Sequence, residues 1–220
     1  MKTRNQCNRI RGLTLVEVVV VIVIVGFLAL LLLPAGTPQT ARIRLACRAN
    51  LIQVRACELM WARDHLDRFP SQVSTNQGGT LEYLATGRLD LHYQALQLYL
   101  PSVKVVCCPA DTRIATTNYA SLKNENISYF ASLDASPSNA SFFMAGDRNL
   151  MINGAAGHPG TAALTATSSA GWSKEMHNSK TGKKVGNIAF SDGHVESVSE
   201  DKLPALNAKL GVSTNRLVFP

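Results

Sequence analysis

The chain has 220 residues, 46% of them hydrophobic and 17% charged, which supplies enough apolar material for one packed domain with appendages. The formal net charge of +7 does not indicate nucleic-acid binding, because four of the cations lie within the first twelve residues and the others are scattered. No nucleic-acid partner is therefore expected.

An uninterrupted apolar segment follows this basic start. Residues 13–33 carry one charged side chain, that of Glu17. As a helix that rises about 1.5 Å per residue, the segment matches a hydrocarbon core about 30 Å thick. It is longer than the apolar region of a secretory signal, and no A-x-A-like cleavage site follows it. Because the positive charges precede it, we expect a single-pass protein of the inner membrane with a cytoplasmic N-terminus.

Glu17 is the unusual residue of this segment. An ionised carboxylate in hydrocarbon costs about 3 kcal/mol or more, so an acid inside a membrane is a candidate functional residue. The alternative is that Glu17, only the fifth residue of the span, lies close enough to the headgroups to reach water.

The basic leader, Gly12, the sequence Leu-Thr-Leu-Val-Glu at 13–17 and the apolar run together resemble the prepilin N-terminal cleavage and methylation motif of type IV pilins and type II secretion pseudopilins. The resemblance implies that a prepilin peptidase cuts between Gly12 and Leu13 and that the new amine of Leu13 is methylated. The family usually has Phe where this chain has Leu13. Residues i and i+4 of a helix are neighbours, so Glu17 could then pair with the new ammonium of its own chain or of a neighbouring subunit.

The resemblance also implies a domain organisation and a fold. We expect a cytoplasmic leader peptide over residues 1–12, a transmembrane or filament-core helix over 13–36, the amphipathic second half of that helix over 37–69 and an extracytoplasmic globular domain over 70–220. The fold class is α+β, with a long N-terminal helix packed on a small antiparallel β-sheet domain. Pro34 is expected to kink the helix because proline lacks the N–H that an intrahelical hydrogen bond needs.

The stretch from Gln39 to about Leu66 predicts a helix with two apolar faces. One stripe contains Leu45, Ala49, Ile52, Ala56, Leu59 and Leu66, and the opposite stripe contains Ile43, Cys47, Val54 and Trp61. Its own domain could bury both faces, or one face could cover the domain while the other meets neighbouring helices in a filament. We favour the second interpretation, with the Cys47 stripe towards the domain.

Four cysteines follow the apolar segment, and Cys7 precedes it. An extracytoplasmic location permits disulfides. Adjacent cysteines rarely pair with each other, so we expect Cys107 or Cys108 to bond with Cys47 or Cys57. The alternative is that all four are buried free thiols.

The remaining elements are predicted from local patterns. We expect a short helix over residues 89–100, strands over 103–107, 126–133 and 141–146, an exposed Gly/Ala/Ser/Thr-rich loop over 153–173, a helix over 200–211 capped by Gly211, and an edge strand over 215–220.

The segment 186–198 predicts a β-hairpin. Asp192 and Gly193 separate two alternating stretches and suit a two-residue type I′ turn, with Phe190 facing Val195. With His177 upstream, this segment resembles the C-terminal signature of pilin-like proteins associated with prepilin processing, a histidine followed by Asp-Gly. The signature has nine intervening residues, whereas fourteen separate His177 from Asp192. Segments 108–111, 126–130 and 146–150 resemble companion motifs of that group.

Metal binding and catalysis are not expected. His177, Asp192 and His194 are weak candidate metal ligands, and the carboxylates of Asp147 and Glu196 are also of a type that can bind a metal. No metal-ligand spacing appears. Some pseudopilins hold calcium in a C-terminal loop, and the corresponding cluster of oxygen ligands is not recognisable here. No Ser-His-Asp or Cys-His order is apparent, so we expect neither an enzyme nor a cofactor.

These patterns predict a structural subunit of a type II secretion or type IV pilus-like filament. Its expected partners are the prepilin peptidase, other pilin or pseudopilin subunits in a helical filament, and the inner membrane before assembly. Two alternatives stay open: a minor pilin whose exposed loop binds a surface or substrate, and a membrane-anchored extracytoplasmic enzyme with a pilin-like anchor.

Overall fold

A computed structural model describes residues 13–32, 39–156, 159–177, 183–210 and 213–220. It divides into two compact units, residues 1–38 and 39–220, which are described separately. The predicted leader, Gly12, the predicted kink at Pro34 and the predicted cap Gly211 lie outside the described residues.

The first unit contains one described helix, α1, which spans Leu15–Leu32. Its large apolar side chains are exposed along the length of the helix. Leu15 near the start is 80% exposed, and Leu31 near the end is 65% exposed. Among the helices formed by described residues, none combines the length and the apolar character that crossing a membrane requires.

Four helices belong to the second unit. They are α2 (Gln39–Asp64), α3 (Leu81–Ala85), α4 (Leu89–Ala95) and α5 (Leu203–Ala208). Short 3-10 turns cover Pro70–Gln72, Thr75–Gln77, Val103–Val106 and Asn124–Asn126. Helix α2 stops where Leu66 and Asp67 adopt positive φ and the Asp67 N–H donates to the carbonyl of Ala62.

Within the described residues, nine strands form two antiparallel sheets. The strands are β1 (Tyr129–Ser132), β2 (Phe143–Asp147), β3 (Leu150–Ile152), β4 (Ala155–Ala156), β5 (Gly160–Leu164), β6 (Ala170–Trp172), β7 (Val185–Phe190), β8 (Val195–Ser199) and β9 (Asn215–Phe219). The larger sheet has the order β5-β9-β1-β2-β7-β8, and the smaller has the order β4-β3-β6.

The larger sheet is buried on both faces. Because successive strand residues point to opposite faces, Tyr129 and Ala131 join one apolar cluster while Phe130 joins another. The first cluster includes Leu51 of α2, and α2 packs against β2, β7 and β8. The second cluster includes Trp172 of the smaller sheet. A helix packed on an antiparallel sheet confirms the predicted α+β class.

The predicted orientation of α2 is confirmed. Cys47, Val54 and Trp61 are buried in the first cluster, and Ile43 packs against it. On the opposite stripe, Leu45 is 64% exposed and Ile52 is 42% exposed. Helix α2 therefore covers the sheet with one face and leaves the other accessible within the second unit.

The predicted strand over 103–107 is wrong. Residues Val103–Val106 form a 3-10 turn because the hydroxyl of Ser102 accepts a hydrogen bond from the Lys104 N–H and caps it. The turn buries Val103, Val105 and Val106 under α2, a packing that the β-branched composition did not distinguish from a strand.

The predicted loop over 153–173 is also wrong, because these residues contain β4, β5 and β6. Two fully buried side chains, Leu164 and Trp172, anchor the stretch despite its small-residue composition. The Trp172 ring lies so close to Gly186 of β7 that a Cβ there would be 2.3 Å from a ring carbon. Gly186 therefore permits the close packing of the smaller sheet on the larger one.

Two details of the C-terminal region differ from expectation. Strand β9 lies between β5 and β1, so it is an interior strand and not an edge. The predicted hairpin is present as β7 and β8, but Ala189, not Phe190, pairs with Val195. Gly193 has φ +98°, whereas Asp192 does not have positive φ. The Phe190 N–H donates a hydrogen bond to the His194 carbonyl. The connection is therefore a three-residue turn with a glycine bulge, the next most common hairpin type.

Candidate functional site

The N-terminal motif forms a capping box at the start of α1. The Glu17 carboxylate accepts hydrogen bonds from the Thr14 backbone N–H and from its hydroxyl, each at 2.7 Å. In return, the Thr14 hydroxyl oxygen accepts from the Glu17 N–H at 3.3 Å. These bonds satisfy backbone donors that the first turn of a helix leaves free. The sequence carries the signal for this arrangement, T-x-x-E before an apolar run, in addition to the charge of Glu17.

The predicted cleavage site is only half described. Leu13 is 75% exposed and precedes the helix, whereas Gly12 lies outside the described residues. Cleavage and methylation at Leu13 stay predictions.

The outer face of α2 is a second candidate contact surface. Leu45, Ile52 and Met60 are each more than 40% exposed on this helix. An apolar stripe of this kind can pack against an apolar helix of another molecule.

The four cysteines among the described residues form one disulfide and two free thiols. Cys47 of α2 is bonded to Cys108, with 5.0 Å between their Cα atoms, which is one of the pairings left open above. Cys57 and Cys107 are buried free thiols. Burial raises the pKa of both thiols, and the Glu58 carboxylate adds to the effect on Cys57. Both are therefore protonated and unreactive at neutral pH.

The weak metal candidates lie in two separate environments. His177 is buried, with its Nε2 3.1 Å from the Asp147 carboxylate and 3.4 Å from the Asn187 side-chain nitrogen. Asp192 and His194 lie at the exposed hairpin turn, where His194 Nδ1 is 2.6 Å from the Asp192 carboxylate. Partial burial raises the pKa of Asp192, but hydrogen bonds from His194 outweigh it and lower the pKa overall. The Asp192 and His194 pair orders the turn.

Two of the segments that resembled companion motifs, 108–111 and 146–150, meet around His177. Cys108 comes from the first, Asp147 from the last, and the two are further joined by a bidentate ion pair between Arg148 and Asp111 at 2.8 Å. Arg148 also binds Glu175 at 2.6 Å, two residues before His177. This buried polar cluster connects α2, β2 and the segment before β7.

A buried acid, histidine and hydroxyl also line up between α2 and α4. His92 Nε2 is 2.8 Å from the Glu58 carboxylate, and its Nδ1 is 2.8 Å from the Thr80 hydroxyl. All three residues are at least 94% buried. The cavity beside Glu58 and His92 is about 10 Å³, which suits a water molecule and not a substrate. No spacing in the sequence indicates this chain of hydrogen bonds, and its geometry supports a structural role.

Comparison with known proteins identifies the N-terminal region. Residues 7–33 match the family model described as the prokaryotic N-terminal methylation motif. No curated protein and no solved structure matches the chain. The match supports a type IV pilin-like or pseudopilin family, and it does not extend to the segments around His177 and Asp192.

Proposed function

We propose that this chain is a structural subunit, a pseudopilin or minor pilin, of a type II secretion or type IV pilus-like filament. A prepilin peptidase cuts it between Gly12 and Leu13, and the mature chain polymerises through its N-terminal helix. The observation that carries the proposal is the match of residues 7–33 to the methylation motif, which contains α1, a helix whose only charged side chain is that of Glu17.

The proposed location follows from the same helix. Before assembly, the apolar segment is held in the inner membrane, with the basic leader in the cytoplasm and residues 70–220 outside it. The exposed side chains of α1 support this, because a helix that is apolar all round requires an apolar environment. In the filament, helices of other subunits would replace lipid around it.

The outer face of α2 extends the proposed contact surface. Its exposed Leu45 and Ile52 would pack against neighbouring subunits, while the Cys47 stripe holds the globular part of the same chain. The proposed role is mechanical, and it requires neither catalytic residues nor a cofactor.

Glu17 is proposed to guide assembly. Its carboxylate is bound within the chain by Thr14, and cleavage would place a new ammonium at Leu13, four residues before it. In a filament, the carboxylate would pair with the ammonium of a neighbouring subunit, and a subunit placed in the wrong register would lose this pair.

Mass spectrometry of the N-terminus tests the processing step. The chain is expressed with and without a prepilin peptidase, and the mature form is expected to start at Leu13 with one added methyl group. A chain that still starts at Met1 in the presence of an active peptidase, or that is cut elsewhere, contradicts the proposal.

A variant of Glu17 tests the assembly step. Glu17→Val is expected to be cut normally but to be incorporated into filaments at least tenfold less than wild type. Glu125→Gln, at an exposed acid of the globular part, serves as the control and should assemble normally. Normal incorporation of the Glu17 variant contradicts the pairing role.

A further inference from the structure

We propose that reduction of the Cys47–Cys108 disulfide creates a zinc site formed by these two cysteines and His177. The inference does not depend on filament assembly. Its ligands come from three distant parts of the chain: helix α2, the turn after Val106 and the segment before β7. Two thiolates and an imidazole are ligands that Zn²⁺ prefers.

The distances suit tetrahedral zinc. The two sulfur atoms and the imidazole nitrogen all lie within 4.8 Å of one another. His177 Nε2 is 3.5 Å from the Cys108 sulfur, and a nitrogen and a sulfur bound to one zinc ion are about 3.6 Å apart. The sulfur atoms themselves must separate to about 3.8 Å after reduction, which rotation about the cysteine side chains can provide.

The nearest oxygen ligand is also in place. The Asp147 carboxylate lies 3.1 Å from the same His177 nitrogen, and ligands of these types are separated by about 3.4 Å around zinc. Asn187 holds this carboxylate through its backbone N–H at 2.6 Å and its side chain at 3.0 Å. Asp147 can therefore complete the coordination.

The unliganded cluster leaves polar groups unsatisfied. Among the described residues, His177 Nδ1 and one Asp147 oxygen are buried without a hydrogen-bond partner. His177 also has φ +49°, a conformation that costs a non-glycine residue about 1 kcal/mol or more. An unpaired Asp147 oxygen beside a strained histidine, whose Nε2 faces Cys108 and Asp147, indicates that the arrangement serves a ligand as well as the fold.

An open cavity lies beside the histidine. His177 lines a cavity of about 310 Å³ whose rim carries Arg44 and Glu175. Because the His177 side chain is fully buried, an ion that enters this cavity reaches the imidazole only after a local shift of the residues that cover it. The Glu175 carboxylate at the rim would attract a cation, although Arg148 already partly neutralises it.

The chemistry is a balanced exchange between two states. A thiol or phosphine reductant supplies two electrons, and two protons are taken up as the sulfur–sulfur bond breaks to give two thiols. Zn²⁺ binding then releases both thiol protons, because the thiolate is the ligand. A disulfide oxidant that accepts two electrons from the two thiolates would restore the Cys47–Cys108 bond and release Zn²⁺.

Metal titration of the full chain in detergent tests the proposal. The protein is reduced by a phosphine in the presence of Zn²⁺, freed of excess metal and analysed for bound zinc. Reduced wild type should hold one zinc ion per chain, and the disulfide form should hold none. Cobalt substituted for zinc should give sulfur-to-metal charge-transfer absorption and the visible bands of a tetrahedral site.

Three variants locate the ligands. His177→Ala is first checked for an intact disulfide and a wild-type far-UV circular dichroism spectrum, and its metal affinity after reduction should fall at least tenfold. Cys47→Ser should lose stoichiometric binding, whereas Cys57→Ser with Cys107→Ser should keep it. Zinc absent from reduced wild type overturns the proposal, and so does binding that persists unchanged in His177→Ala or Cys47→Ser.

Discussion

At the scale of single residues, Glu17 has a local role before it has any role between molecules. Its carboxylate accepts two hydrogen bonds from Thr14, so the acid stabilises the first turn of α1 within its own chain. A neighbouring ammonium would add to this arrangement or compete with it. Thr14 therefore holds the Glu17 carboxylate in place, and the carboxylate in turn stabilises the start of the helix.

A substitution of Thr14 tests the cap. Thr14→Ala removes the hydroxyl and should destabilise the first turn by about 1 kcal/mol, so the Glu17 amide should exchange hydrogen roughly fivefold faster. Thr14→Ser keeps the hydroxyl and is the matched control. Equal exchange rates in the alanine and serine variants would show that the hydroxyl does not cap the helix.

The buried pair of Asp111 and Arg148 gives a pH-dependent prediction. Burial raises the pKa of Asp111, but hydrogen bonds from Arg148 and Ser128 and the charge of Arg148 lower it overall. A carboxyl whose pKa is lowered by folding stabilises the protein above its unfolded pKa of about 3.9, and this contribution is lost as the pH falls through the folded value. The stabilisation should therefore be complete at pH 7.

Asp111→Asn is expected to lower the free energy of unfolding by about 2–3 kcal/mol at neutral pH. The difference from wild type should shrink below about pH 4, as measured by urea unfolding at several pH values. Glu125→Gln, which alters an exposed pair, should change stability by less than about 0.5 kcal/mol throughout. A difference that does not vary with pH would contradict the assignment.

Prediction from sequence was uneven at this scale. The spacing of Thr14 and Glu17 is a recognisable local signal, because the capping box depends on neighbours in one turn. The choice of Cys108 over Cys107 depends on how the turn after Val106 faces α2, and neither residue type nor spacing encodes that. The meeting of Asp147 with His177 depends on tertiary contacts across thirty residues.

At the scale of elements, α2 separates two tasks on opposite faces. Leu51 is fully buried against the sheet, while Leu45, less than two turns earlier, is 64% exposed. One helix thus carries both the core of its own domain and a surface that can contact other molecules.

Alanine substitutions on the two faces should separate these tasks. Leu51→Ala is expected to lower the free energy of unfolding by about 3 kcal/mol, because it leaves a cavity in the core. Leu45→Ala should change stability by less than about 0.5 kcal/mol yet reduce filament yield. The same loss of stability in both variants would place Leu45 in the core and contradict the exposed face.

Helices were easier to predict than strands for a physical reason. The 3.6-residue period of α2 continues over seven turns, so the sequence alone predicts which face of the helix is buried. The β-branched run at 103–107 is short, and a capped 3-10 turn buries it equally well. Strands β4 to β6 contain many small residues, and their stability comes from Leu164, Trp172 and pairing with distant strands.

At the scale of the whole globular unit, one sheet separates two apolar clusters. The chain has two tryptophans, and each belongs to one cluster: Trp61 on the α2 side and Trp172 on the other. Because both clusters include alternate residues of the same strands, loss of one should expose the other. The two sides of the sheet should therefore unfold together.

Single-tryptophan variants test this cooperativity. Trp172→Phe leaves Trp61 as the fluorescent probe, and Trp61→Phe leaves Trp172. In each variant, the fluorescence transition in urea should coincide with the transition in far-UV circular dichroism. Separate midpoints within one variant would indicate that the two clusters unfold independently.

The interior position of β9 determines when this unit can be completed. Strand β1 needs β9 as its neighbour, and the bonded side chains of Ser132 and Asn215 are 83 residues apart. At ribosomal rates of about 5–20 residues per second, the early strands wait roughly 4–16 s for this partner. During export that is coupled to synthesis, the early strands would therefore cross before β9 is made, and a chaperone or the translocation channel has that interval in which to keep them unfolded.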